Sequence, residues 1–444
     1  MNKVLEFLKK NKKSLTILFL IILFGYYLIW VVKQPFNSCP DEGMKWDICK
    51  YIYENNKIPH GDDEAIRNDM WGISYAFQPI LTYMICAVFM KIMSIFSTNE
   101  FNLLIAARLV STISMVFAVY FTLKISDKLF KKPYKYLLIA FVAFQPLISF
   151  IASYINNDST AFLMITIIIY LWILGLENNW KTKTCIELGI AIGICSLTYY
   201  NAYGYILCSV IICVTSAILN KMKTKDILKK GAIVACIAFC VAGWWFIRNA
   251  IIYNGDFLGI NAQNECGNKY ALDEYKPDIR KTPLREGKTI IDMLIKDQWI
   301  SITVKSFIGV FGYNSIVMSP KIYYCYLAIW TIGIVGCIIG FKKIFIYNKE
   351  EKNKYLLRYV FLLAIIITCG MSIFYSYTSD FQAQGRYIAG IMIPFTYFII
   401  NGIKTILERF IKSQKVIDVI VGLIILLLII ISFKATFNYM PLVQ

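Results

Sequence analysis

Residues 37–47 read Asn-Ser-Cys-Pro-Asp-Glu-Gly-Met-Lys-Trp-Asp. Asp41 and Glu42 are adjacent carboxylates behind Pro40, directly after the first apolar run of the chain. A carboxylate at a membrane surface can act as general base on a substrate carried in the bilayer, and low dielectric raises its pKa towards the working range. The plainer reading is a pair of acids at the positive end of a short helix that starts after the proline. Asp158, in SYINNDSTAFL, closes one apolar run and opens the next. It reads as a helix N-cap or as a second carboxylate at the depth of Asp41. Arg248, in GWWFIRNAIIYNGDFLG, and Arg386, in SDFQAQGRYIAGIMIP, each stand at the end of an apolar run. Such an arginine either snorkels to the interface or turns its planar guanidinium to two oxygens of a lipid-linked phosphate. Two acids and two arginines converging on one surface would suit a phosphate leaving group and a hydroxyl acceptor.

Other chemistry-bearing residues carry less. His60 is the only histidine and reads as polar loop surface. Asp62, Asp63, Glu64 and Asp69 form an acidic run that solvation explains, and they leave a divalent metal open as a cofactor without defining ligands. No CxxC or HExxH pattern points to zinc. The 13 cysteines lie mostly inside apolar runs, and only Cys39, Cys49 and Cys266 read as external, where a disulfide could form.

Apolar helices must position these groups. Hydrophobic residues make up 58% of the 444 and charged residues 17%, more apolar surface than a soluble core absorbs. The net charge of +18 lies in short clusters between apolar runs, the bias of cytoplasmic loops, so nucleic-acid binding is not expected. The N-terminal basic segment leads into an apolar run of about 19 residues and reads as an uncleaved signal anchor, its lysines inside. Long apolar segments cover 14–32, 74–96, 101–127, 136–155, 159–176, 185–200, 203–220, 231–247, 322–341, 357–375, 387–403 and 416–433. If all crossed, the lysine clusters at 124–136, 221–230, 342–358 and 404–415 would lie outside. Taking out 74–96, which contains Pro79 and Lys91, returns every later cluster to the inside.

The expected architecture is thus an all-α polytopic cell-membrane protein with about eleven transmembrane helices, a cytoplasmic N-terminus and one transmembrane domain over 1–444. The long loops 33–100 and 248–321 lie outside, with juxtamembrane helices. In the first, DEGMKWDICKYIYENNKIP places Trp46, Cys49 and Tyr53 on one helical face. In the second, 290–309 reads as an amphipathic helix roofing a pocket. No internal repeat favours a two-fold-repeat transporter.

Five ordered motifs resemble the GT-C membrane glycosyltransferases, the superfamily of the protein O-mannosyltransferases and the lipid A aminoarabinose transferase. PDEGMKWDICKYIYENNKIP is similar to their acidic first-loop motif, and FQPILTYMICAVFMKIMSIFSTNEFNLLIAARLVSTI to their His-Pro-Pro-Leu-Tyr-Tyr segment with its Ala-Arg-Leu start of the next span. SYINNDSTAFL is similar to their short second outer loop. WWFIRNAIIYNGDFLG and QGRYIAGIMIPF resemble a bacterial subfamily of unassigned function. The resemblance implies transfer of a sugar from a polyprenyl-phosphate donor to a glycan, lipid or protein acceptor on the extracytoplasmic face. It implies Asp41 as catalytic base, Glu42 as its support and Asp158 as the second-loop acid. Lys45 stands where the subfamily often has His, and Gln78 stands at a His position implied to meet the donor phosphate. The rival readings are a flippase or other carrier of lipid-linked glycans, which would place paired charges at mid-membrane, and a glycan polymerase sharing the outer arginines.

Overall fold

The computed structural model describes residues 11–443; the basic residues 1–10 of the expected signal anchor lie outside that range. The chain is built from helices because a backbone in hydrocarbon must satisfy its own N–H and C=O groups. In chain order they are α1 (Lys12–Lys33), α2 (Glu42–Asn55), α3 (Leu81–Ser94), α4 (Glu100–Leu129), α5 (Tyr134–Ala143), α6 (Pro146–Ile151), α7 (Asp158–Asn178) and α8 (Thr182–Ser196). There follow α9 (Tyr203–Leu219), α10 (Thr224–Ile252), α11 (Ile260–Tyr270), α12 (Trp299–Gly309), α13 (Pro320–Ile339), α14 (Lys352–Thr378), α15 (Met392–Phe410) and α16 (Gln414–Lys434).

Ion pairs and hydrogen bonds sort the helix ends into two layers. Lys12 reaches Asp127 at 2.8 Å, Lys128 pairs with Glu177, and Lys352 donates to the Leu219 carbonyl at 3.1 Å. The starts of α1 and α14 therefore share one layer with the ends of α4, α7 and α9. In the other layer the Tyr313 hydroxyl donates to the Asn37 carbonyl at 3.0 Å, and the Leu81 N–H to the Leu197 carbonyl at 3.2 Å. Asp41 belongs to this second layer.

Among the described residues, nine helices are long and apolar enough to cross a membrane, against the eleven expected. The two expected spans missing from that set have physical reasons. Segment 136–155 is broken: α5 stops at Ala143, and Pro146 restarts the chain as α6. Segment 185–200 forms α8, only 15 residues long, whose Gly189 and Gly193 press against Ile237 and Val241 of α10. The segment expected not to cross, 74–96, yields the 14-residue α3. It starts beside Gln78 and leads to Glu100, which pairs with Lys50 of α2 at 3.0 Å, so both ends of α3 stay in the Asp41 layer.

Small residues bring spans together where apolar side chains gain nothing from leaving lipid. A Cβ on Gly402 of α15 would come within 1.7 Å of the Gly333 carbonyl oxygen of α13. The expected amphipathic face of α2 is present, with Trp46 and Cys49 buried and Tyr53 half-buried. A two-stranded ribbon pairs Val310 with Val317 and Phe311 with Ile316, antiparallel, and Phe311 packs on Trp30 and Phe150. Cys39, Cys49 and Cys266 are free thiols.

The layers make a labelling prediction. In sealed vesicles of outside-out orientation, Ser97→Cys reacts with an impermeant thiol reagent added outside, while Lys131→Cys in the opposite layer reacts only after permeabilisation. The reverse pattern would overturn the orientation inferred from the lysine clusters.

Candidate active site

The site is held from below by a buried ion pair. Glu42 opens α2 and is fully buried, as is Arg108 in the third turn of α4. The Arg108 Nε and Nη2 donate to the two Glu42 oxygens at 2.7 Å each. Its remaining N–H groups donate to the carbonyls of Val31, Gln34 and Pro35 at 2.9, 2.7 and 3.0 Å. All five guanidinium donors are thereby used. Glu42 also accepts the backbone N–H of Asn37 (3.1 Å) and Ile155 (3.3 Å). This one cluster ties the end of α1, the start of α2, α4 and the segment before α7.

Asp41 precedes the clamp in a left-handed conformation, φ +62°. That backbone is strained for a residue with a Cβ, though Asp tolerates it better than most. It aims the two neighbouring carboxylates apart, Glu42 downwards and Asp41 into a cavity. Asp41 Oδ2 accepts from Arg386 Nη2 at 2.8 Å and lies 3.8 Å from the Lys45 ammonium. Burial pushes the Asp41 carboxyl up, but Arg386, Lys45 and a hydrogen bond from Tyr75 outweigh it and hold it at about 2. Burial pulls the Lys45 ammonium below its ordinary value, against Asp41.

Arg386 is the hub. Its Nε donates to Gln384 Oε1 at 2.7 Å, its Nη2 also to the Tyr387 hydroxyl at 2.9 Å, and its Nη1 lies 3.8 Å from Asp158 Oδ2. Gly385 allows this placement, because a Cβ there would stand 2.1 Å from the Phe307 nitrogen of α12. Asp158, the first residue of α7, is 5% exposed, and its Oδ2 has no hydrogen-bond partner. The proximity of Asp41 and Asp158 expected from sequence is therefore present, with a guanidinium between them.

The cavity has a volume of about 1420 Å³. Asp41, Gln78 and Arg386 line it, and Gln78 Oε1 is buried without a partner. Aromatic and amide side chains, among them Tyr75, Tyr199, Tyr387, Asn201 and Gln384, make much of its wall. On one side the wall passes to Met371 and Phe374 of α14, the latter 68% exposed.

Other expected residues lie elsewhere. Arg248 does not line the cavity; its guanidinium donates to the Pro59 carbonyl at 2.8 Å and stacks on Trp245. His60 pairs with Asp62 and packs on Tyr253, outside the cavity. No residue of 290–309 roofs it; α12 instead supports Gly385, and the 258–280 segment supplies the cover. Two arginines escaped the reading of candidate residues: Arg108, and Arg280, which lines the cavity with its Nε unpartnered. Among the described residues no group of three His, Cys, Asp or Glu could hold a metal ion. Where a divalent ion would join Asp41 to Asp158, Arg386 already stands with Lys45 beside it, so this donor set does not fit one.

Residues 78–245 match the family model described as dolichyl-phosphate-mannose-protein mannosyltransferase. No curated protein matches the chain. The oligosaccharyltransferase AglB from Archaeoglobus fulgidus, in complex with an inhibitory peptide and a dolichol-phosphate, superposes with a TM-score of 0.54 at 13% identity, over 97% of this chain and 56% of its own. Its complex with Zn and sulfate gives 0.56 at 13% identity, over 95% and 53%. The chain thus spans little more than half the length of AglB. ArnT from Cupriavidus metallidurans, bound to undecaprenyl phosphate, gives 0.44 at 12% identity, over 88% and 78%.

Replacing Arg108 by Gln leaves the Glu42 carboxylate buried without its cation. A loss of about 3–5 kcal/mol is expected, read as a lower thermal unfolding midpoint in detergent. An unchanged midpoint would show that the clamp does not hold α2.

Proposed function

Proceeding from a polytopic membrane protein with the GT-C fold, we propose that it is an inverting glycosyltransferase acting at the extracytoplasmic face. The donor is a sugar on a polyprenyl phosphate, and the acceptor is a hydroxyl of a glycan, lipid or protein. The observation that carries this reading is Arg386 at 2.8 Å from Asp41 within a cavity whose wall runs out to apolar side chains of α14. The match of 78–245 to a mannosyltransferase family model and the dolichol-phosphate held by AglB support the donor class.

Asp41 takes the proton of the acceptor hydroxyl as its oxygen attacks the anomeric carbon. The bond from that carbon to the phosphate oxygen breaks on the opposite face, and the phosphate leaves with the electron pair. Arg386 stabilises the charge that builds on it, and Gln78 donates to a phosphate oxygen. In the free site the guanidinium holds Asp41 Oδ2 and depresses the basicity of the carboxylate. Donor phosphate competes for the same guanidinium, so its arrival frees the base when a leaving group is in place. Asp158 holds the other side of Arg386, and Glu42 acts only by keeping Asp41 where it is. A carrier would place paired charges at mid-membrane, whereas Asp41, Asp158 and Arg386 stand at the starts of their helical segments.

Two measurements test this. In proteoliposomes with a radiolabelled polyprenyl-phosphate sugar, Asp41→Asn lowers transfer about a hundredfold or more. Robust transfer by the variant removes Asp41 as base. The second is the pH profile of kcat/KM. Because the folded pKa of Asp41 is depressed to about 2, it stays ionised above that pH and gives no acidic limb from pH ~7 to ~4. In Arg386→Gln, burial is opposed chiefly by Lys45, the Asp41 pKa rises by about two to three units, and an acidic limb that the wild type lacks appears as pH falls below ~5. Identical limbs in the two proteins would count against the Asp41–Arg386 coupling.

A further inference from the structure

A second crevice, of about 440 Å³, lies between the end of α2 and the outer face of α3. Its floor is apolar, formed by residues such as Ile52, Ile58, Met84 and Val88. Its polar members are Asn56, Lys57 and Lys91, and no carboxylate lines it. Both lysines are exposed, and the Lys91 ammonium stands 4.9 Å over the Tyr53 ring. Asn56 ends α2 in a left-handed turn, φ +53°, and so carries the chain into Lys57 and Ile58 at the rim.

The position of the crevice says what medium it meets. Val88, Ile92 and Ile95 recur at spacings of four and three residues and are all exposed, Ile95 at 77%, with Phe96 beyond at 82%. One stripe of α3 is thus apolar and uncovered. Both ends of the helix stay in the Asp41 layer, the geometry of a helix lying in the interface with its apolar stripe among acyl chains. The crevice floor continues that stripe, and the two ammonium groups stand at its rim.

We infer that this crevice binds one anionic glycerophospholipid of the surrounding leaflet, an acyl chain on the apolar floor and the headgroup phosphate between Lys57 and Lys91. The charge selects among lipids: an acyl chain alone distinguishes none, and two cations without a facing acid favour a net negative headgroup. The bound lipid wedges α2 against α3, the helix pair that carries Asp41. This site is separate from the catalytic cavity, and its test does not depend on the proposed reaction.

The test uses the full-length protein in phosphatidylcholine vesicles containing a minor fraction of either phosphatidylglycerol or phosphatidylcholine with a photoreactive acyl chain. Cross-linked peptides are then mapped by mass spectrometry. Phosphatidylglycerol labels residues 84–95 more than phosphatidylcholine does, by about fivefold for each lysine in play. In the Lys57→Gln/Lys91→Gln variant the excess disappears while the unfolding midpoint is kept. Equal labelling by the two lipids, no labelling of 84–95, or an excess that survives in the variant would each overturn the proposal. Should the double variant fail to fold, Lys91→Arg keeps the charge and must keep the excess.

Discussion

The Arg108–Glu42 pair is the constraint on which the site depends. A buried ion pair is stable only when the loss of hydration is offset by close geometry and complete hydrogen bonding. Here the guanidinium spends two donors on the carboxylate and three on carbonyls at the end of α1, where the helix leaves its last carbonyls free. A lysine could not replace it, because one ammonium cannot address five acceptors on two segments. The pair joins pieces of chain 66 residues apart and makes the turn before α2 part of the bundle rather than a loop on it. That rigidity allows Asp41 to hold a left-handed backbone, a conformation that persists only when its surroundings over-determine it.

Two adjacent carboxylates thereby receive opposite tasks. The Glu42 oxygens take four N–H donors in all and have no capacity left for a substrate proton. Asp41 faces a cavity, with a cation that a ligand can draw away. The same principle separates the arginines. Arg248 and Arg386 look alike in sequence, each after a glycine or an aromatic cluster at the end of an apolar run. The first closes on a loop carbonyl and an indole, the second on two carboxylates from distant segments.

This contrast marks how far the sequence could be read. Membrane residence, the non-crossing 74–96 segment, the α2 face and the placement of Asp41 and Asp158 in one layer all follow from local pattern or from charge bias, which act over a helix or a loop. The tasks of Glu42, Arg108 and Arg248 depend on partners dozens of residues away, and nothing in their own windows reports them. The Ala-Arg-Leu motif did contain Arg108, but an arginine at the start of a span reads equally as an interface anchor. The nine long apolar helices are fewer than the eleven expected spans because Pro146 breaks one run and α8, with Gly189 and Gly193 against α10, is only 15 residues long, yet both segments still pass from the inner layer to the Asp41 layer.

Charge balance in the cavity bears on how a phosphate could enter it. The wall carries Asp41, Asp47, Glu100 and Asp380 against Lys50, Arg280 and Arg386, and Lys50 is already paired with Glu100. Such a wall presents no broad positive field to attract an anion. Capture must be local, through a guanidinium that leaves one carboxylate for another anion. Arg386 meets that condition, since it has two carboxylate neighbours and only one of them, Asp41, is within hydrogen-bond distance. Giving up that one bond costs little if Asp158 continues to balance the cation and Lys45 continues to face Asp41. In the proposed reaction the second carboxylate thus need not touch the substrate to matter: by continuing to face Arg386 it would lower the cost of exchanging Asp41 for a phosphate, and that exchange would couple the arrival of the leaving group to the release of the base.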